Sequence, residues 1–226
     1  MLRYLITDGS DPKSYIIHLL LCLPIILISL SLHEAAHGYA AYKLGDPTAK
    51  NLGRLTMNPL KHLDPLGFIC MLLAGFGWAN PVPINTRNFK KPRRDMALSA
   101  AAGPLSNFLL AALFCALLKV YTIVAPHLVL SSDLSVNVLY FTFLFLYYGI
   151  SMNLTLAVFN LLPVPPLDGS RLLYVFLPPK YYFGVMKYER YISLAIMFLL
   201  LFGVLSPVIS LVTDALMTLL FIVFGL

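Results

Sequence analysis

Ser31-Leu32-His33-Glu34-Ala35-Ala36-His37-Gly38 closes a long apolar stretch near the start of the chain. On a helix, residues four apart lie one turn above each other on one face. His33 and His37 can therefore aim two imidazole nitrogens at a single ion, with Glu34 on the adjoining edge. Two neutral imidazoles beside a carboxylate that can take a proton from water form the donor set of a zinc hydrolase. On a soluble surface helix so short a pattern often arises by chance. Here Tyr15 to Leu32 contains no Asp, Glu, Lys or Arg, so the three ionisable groups lie at or below a membrane surface. Such groups are costly in hydrocarbon and mark function. The chain has only two Glu, Glu34 and Glu189, which makes a packing role for Glu34 hard to defend.

Composition gives the class. With 59% hydrophobic and 12% charged residues and a mean hydropathy of +0.82, the 226 residues predict an integral membrane protein and leave little for soluble domains. The net charge of +6 reads as basic cytoplasmic loops and not as nucleic-acid binding. Cys22, Cys70 and Cys115 stand alone in apolar stretches, so neither a disulfide framework nor a thiolate metal site is indicated. His18 and Cys22, four apart but without a third partner, read as packing. The first apolar run is too long for a secretory leader, and cleavage behind it would discard the histidines. An uncleaved first transmembrane helix is expected.

Asp11-Pro12 predicts a helix start and Gly45-Asp46-Pro47 a stop, so the first helix runs from about residue 12 to Leu44. Counting back at 1.5 Å per residue, His37 and His33 lie roughly 10 and 16 Å from that end. Residues 45–94 are the most polar part of the chain and enclose an apolar island, Leu66–Ala79, too short to span. The Gly- and Pro-rich run Gly75–Asn85 predicts a re-entrant loop or extended hairpin, with a greasy surface loop as the alternative. The next helix covers about residues 95–120, with small residues in its first half and Asn107 at some depth. Another runs from about Val138 to Leu162, stopped by Pro163, Pro165 and Pro166. Asp168-Gly169 follows. It reads either as a turn with Asp168 capping the next segment, or as the source of the protein ligand that two histidines still lack. Two apolar runs, about Tyr191–Leu205 and Pro207–Leu226, complete the chain, and Asp214 among them has no assigned role.

Charge tests the geometry. Nine of the sixteen Lys and Arg lie between Lys43 and Arg94, and four more between Arg171 and Arg190. The positive-inside rule puts both loops in the cytoplasm and the N-terminus outside. His33, His37 and Asp168 flank those loops, so all three approach the membrane from one face.

Three separated matches resemble the site-2 protease family of intramembrane zinc metalloproteases. His33-Glu34-x-x-His37 resembles its zinc helix. Asn160-x-x-Pro163-x-Pro165-x-Leu167-Asp168-Gly169 resembles its second signature, and Gly103-Pro104-x-x-Asn107 a shorter element near the active site. The resemblance covers roughly residues 25–175. It implies an all-α polytopic membrane protein, five to six transmembrane helices around a three-helix catalytic core, with a small membrane-associated β element near residues 75–90. Both tails lie outside the resemblance, and one protease domain is expected over 1–226, with a catalytic core of about 12–178 and C-terminal helices over about 187–226. No insertion is long enough for the PDZ domain of some members, so the compact, PDZ-less kind is expected. One Zn²⁺ per chain is implied, held by His33, His37 and Asp168. Glu34 would be the general base, and Asn107 or Asn160 a donor to the developing oxyanion. Expected partners are transmembrane protein substrates and the lipid bilayer, with no nucleic acid. The expected location is a prokaryotic plasma membrane, with the site towards the cytoplasm.

Rival readings are a membrane metal-ion transporter, since His and carboxylates also line ion paths, and a metal-binding protein with a degenerate site. The single cluster near one face disfavours the first, and the presence of every expected ligand and the base disfavours the second.

Overall fold

A computed structural model describes residues 12–74, 79–128, 132–176, 184 and 187–226. Its helices are α1 (Pro12–Lys43), α2 (Thr48–Asn51), α3 (Pro65–Ala74), α4 (Pro92–Val124), α5 (Asp133–Asn160), α6 (Asp168–Leu173), α7 (Glu189–Leu201) and α8 (Ser206–Phe224). Among the described residues, four stretches are long and apolar enough to cross a membrane: Ile16–Lys43, Pro92–His127, Asp133–Asn160 and Ser206–Phe224. Two further apolar helices, α3 and α7, have 10 and 13 residues. At 1.5 Å per residue they reach about 15 and 20 Å, less than a hydrocarbon core of roughly 30 Å.

One hydrogen bond fixes the direction of the last crossing. Lys119 Nζ, near the end of α4, donates to the Gly225 carbonyl just past α8. α4 leaves the face that carries the basic residues 87–94, so α8 must run the same way. Crossings α1, α4, α5 and α8 then alternate in direction.

The transmembrane helices are apolar on both sides, so the hydrophobic effect cannot choose their faces. Lipid tails are as apolar as leucine, and close packing and polar bonds choose instead. On α4, Leu105, Leu109, Leu113, Leu117, Val120 and Val124 are exposed and form one lipid-facing stripe at a spacing of three to four. The opposite face carries Ala100, Gly103, Asn107, Ala111, Cys115 and Leu118, all buried. α1, α4 and α5 pack on one another. Phe114, Leu146, Ile150, Leu154, Met217 and Leu220 fill the space where α8 joins α4 and α5.

α4 starts three residues before Asp95. Pro92 occupies the first turn, and the Asp95 carboxylate accepts the Lys91 N–H at 2.9 Å. α5 starts at Asp133 with Ser132 as cap, its hydroxyl accepting the Ser135 N–H at 3.4 Å. Both starts are set by capping and not by apolar periodicity.

Residues 75–78 of the expected β element, Trp78 included, lie outside the described residues. Among the described residues there is no strand, only an isolated antiparallel bridge between Leu63 and Ala79. From there residues 79–85 run without helix or turn as a strap across the end of α1, before the short helical turn Thr86–Asn88.

Candidate metal centre

The sequence places His33 and His37 on one face of α1, and the fold buries that face. His33, Glu34 and His37 are all buried. His33 Nε2 and His37 Nε2 lie 3.0 Å apart, and each is 3.1 Å from Asp168 Oδ2. Residues 33 and 168 are 135 apart in the chain and meet because α6 begins where the prolines release α5. Asp168 occupies the first position of α6, and Leu167 is the cap. The carboxylate therefore turns to the histidines and does not cap its own helix.

Two glycines make the approach possible. A Cβ on Gly103 would sit 2.3 Å from His37 Nε2, so α4 can face the imidazoles here only without a side chain. A Cβ on Gly169 would sit 2.2 Å from the Leu161 carbonyl oxygen, and that contact is backbone, which cannot swing aside. Gly169 thus lets the turn bearing Asp168 lie directly on the end of α5.

The donors are oriented from behind. His33 Nδ1 donates to Asn107 Oδ1 at 2.6 Å, and His37 Nδ1 donates to the Ser99 carbonyl at 2.8 Å. With both Nδ1 positions carrying hydrogen, both Nε2 lone pairs face the same point, the tautomer a metal ligand needs. Two lone pairs and a carboxylate oxygen converging in a buried space are mutually repulsive unless a cation sits between them. Tetrahedral ligands at about 2.0–2.1 Å from Zn²⁺ lie roughly 3.3 Å from each other, close to the triangle observed. The residues present fit such an ion.

Asn107 is placed behind His33. Its amide nitrogen donates to Asn153 Oδ1 at 3.0 Å and to the Ser29 carbonyl at 3.3 Å, so both of its N–H groups are engaged. Asn160 donates to the Leu156 carbonyl one turn back, and no hydrogen bond among the described residues joins it to the cluster. Glu34 points to the strap: its Oε2 accepts the Val82 N–H at 2.8 Å. The sequence reading missed Asn153, Ser99 and Val82. Asn153 had a signal, being a second buried amide in a long apolar helix. The other two contribute backbone atoms, which no residue type reveals.

The strap is fixed at both ends. Asn80 N–H donates to the His62 carbonyl at 2.7 Å, and Arg54 donates to the Asn80 and Pro81 carbonyls at 2.6 and 3.3 Å. Further on, Asp46 takes the Asn85 N–H on Oδ2 at 2.7 Å, and on Oδ1 the Asn88 amide at 2.7 Å together with Thr48. Burial would raise the Asp46 carboxyl, but these bonds hold it below its ordinary value.

A family model described as Peptidase family M50 matches residues 127–204. The chain is 46% identical over 154 residues to the "Putative zinc metalloprotease YwhC" of Bacillus subtilis, a match covering 68% of each chain. It is 30% identical over 184 residues to the "Putative zinc metalloprotease Rip2" of Mycolicibacterium smegmatis, covering 79% of this chain and 66% of that one. To the "Zinc metalloprotease MJ0392" of Methanocaldococcus jannaschii it is 29% identical over 207 residues, covering 89% of this chain but 47% of the relative. No solved structure matches the chain.

Proposed function

Because the chain belongs to peptidase family M50, we propose that it is an intramembrane zinc metalloprotease that hydrolyses peptide bonds within or near transmembrane segments of other membrane proteins. The observation that carries the reading is the convergence of His33 Nε2, His37 Nε2 and an Asp168 oxygen within one buried space, with Glu34 next to His33 in sequence. The names of the relatives support zinc as the ion. One protease domain spans the described chain, with a catalytic core over about 12–178.

Zn²⁺ held by His33, His37 and Asp168 would lower the pKa of a bound water to about 7 and polarise the scissile carbonyl. Glu34 takes a proton from the attacking water and later delivers it to the leaving amine nitrogen. Asn107 keeps His33 in the tautomer that leaves Nε2 free. Since both N–H groups of Asn107 are engaged, hydrogen bonding to the developing oxyanion falls to Asn160, whose second amide hydrogen is unassigned. A helical substrate hides its carbonyls and must unwind to react. The Val82 and Pro83 carbonyls and the Ile84 N–H enter no hydrogen bond among the described residues, which leaves that edge of the strap for an extended substrate backbone. The lipid bilayer and transmembrane substrates are the partners. The basic loops support a site facing the cytoplasm, and the bacterial and archaeal relatives support a prokaryotic plasma membrane.

The deciding experiment compares wild type with Glu34→Gln in detergent on a fluorescent transmembrane peptide, after zinc is measured in both. Cleavage by wild type alone, stopped by a chelator, is expected. Equal cleavage by Glu34→Gln would sink the assignment of the base.

A further inference from the structure

Between Pro81 and Pro83 the strap has a single N–H, that of Val82, and it is aimed at Glu34 Oε2. We propose that Val82 is a positioning residue: its backbone N–H fixes the Glu34 carboxylate so that Oε1 is the oxygen that faces the attacking water. This rests on the reading of Glu34 as general base and adds how that base is held.

The terminal torsion of a glutamate is broad and nearly two-fold, so burial alone does not choose which oxygen faces the reaction. A hydrogen bond to one oxygen does. Oε1 accepts no hydrogen bond among the described residues, while Oε2 has this one. Proline has no N–H, so the flanking residues cannot offer a competing donor if the strap slides by one position. The residue before a proline is also held extended, which suits Val82 before Pro83.

The donor is built into place and does not lie there by accident. The bridge of Leu63 with Ala79, the His62 carbonyl on Asn80 N–H, Arg54 on the next two carbonyls, and Asp46 on Asn85 N–H bracket Val82 from both sides. The side chain is seated as well. Val82 is buried, and a Cβ on Gly38, one turn beyond Glu34, would lie 3.1 Å from Val82 Cγ1. Gly38 therefore lets the strap settle against α1 at the height of the base. General-base catalysis contributes about 10²–10⁴ in rate, and misplacement by about 1 Å costs on the order of 10². Loss of the bond should thus reduce turnover and spare substrate binding.

The test uses the full chain with bound zinc. Val82→Pro deletes the N–H, and Val82→Ala keeps it while removing most of the side chain. At equal zinc content, Val82→Pro should turn over at least ~10-fold more slowly than Val82→Ala, with KM within about twofold. In valine-selectively ¹⁵N-labelled protein, the Val82 amide, identified by its disappearance in Val82→Ala, should move upfield in Glu34→Ala. Equal kcat for the two Val82 variants, or an amide that ignores Glu34→Ala, overturns the proposal. Should Val82→Pro fail to retain zinc, Arg54→Met replaces it: a lower kcat at unchanged KM supports the proposal, and an unchanged kcat overturns it. Glu34→Gln separates the two readings. Activity in that variant removes the base itself. An inactive Glu34→Gln beside equal Val82 variants removes only the positioning role.

Discussion

Asn107 Oδ1 lies 2.6 Å from His33 Nδ1, and the same amide reaches Asn153 on α5 and Ser29 on α1. One side chain from α4 thus ties α1, α4 and α5 together at the depth of His33. Asn107→Leu removes the acceptor that fixes the His33 tautomer. Loss of such a partner costs about 10–100-fold in metal affinity. Zinc competition against a chelator of known affinity should show that loss, and an unchanged affinity would contradict the orienting role.

Gly169→Ala tests the seat of Asp168. The added methyl meets backbone oxygens of Leu161 and Leu162, so the turn itself must move. Overpacking of this kind destabilises by about 1–3 kcal/mol, and here it also draws Asp168 away from His33 and His37. Reduced zinc per chain together with a lower Tm is expected. Full zinc occupancy at an unchanged Tm would mean that the turn has room to relax.

Zinc itself should stabilise the fold. A ligand that binds only the native state adds stability that grows with its concentration over Kd, about 2.7 kcal/mol at a hundredfold excess. Chelation should therefore lower the Tm of wild type, and restoring zinc should recover it. In Asp168→Ala, where the third donor is gone, the response to zinc should be much weaker.

Asp46 predicts a pH dependence outside the membrane. Its carboxyl is held below the ordinary value when folded, so the stability it confers is present above the unfolded pKa of about 3.9 and is lost as pH falls through the folded pKa. Asp46→Asn should lower the Tm near neutral pH. The gap from wild type should close on acidification below about pH 4. A gap independent of pH would show that Asp46 acts as a neutral hydrogen-bond acceptor.

Much of this architecture was legible in the residues, for reasons that also explain what was not. His33, Glu34 and His37 are found by spacing alone, because a helix converts a separation of four into a shared face. The first helix is expected to end at about Leu44 and ends at Lys43, where Gly45 has a φ of 110° that most side chains cannot adopt. Periodicity was a poor guide to the starts of α4 and α5. Their first turns are polar and are fixed by Asp95 and Ser132, so the apolar pattern begins several residues late. The apolar run 191–205 does not continue as one helix: α7 ends at Leu201, and Gly203 takes a φ of 70°. The contact of Glu34 with Val82 had no signature, since a backbone N–H belongs to every residue but proline. Only in the fold does the pair of prolines around Val82 acquire meaning.

The strap lies beside Glu34 with nearly all of its backbone donors already engaged. Arg54 already claims the carbonyls of Asn80 and Pro81, and the N–H groups of Asn80, Val82 and Asn85 are engaged as well. The bond after Val82 ends on a proline nitrogen that carries no hydrogen. The same arrangement leaves few donors for another chain to pair with, so the strap is also an unpromising template for edge-to-edge aggregation in an incompletely folded molecule. That scarcity of donors is written into three consecutive residues, Pro81, Val82 and Pro83.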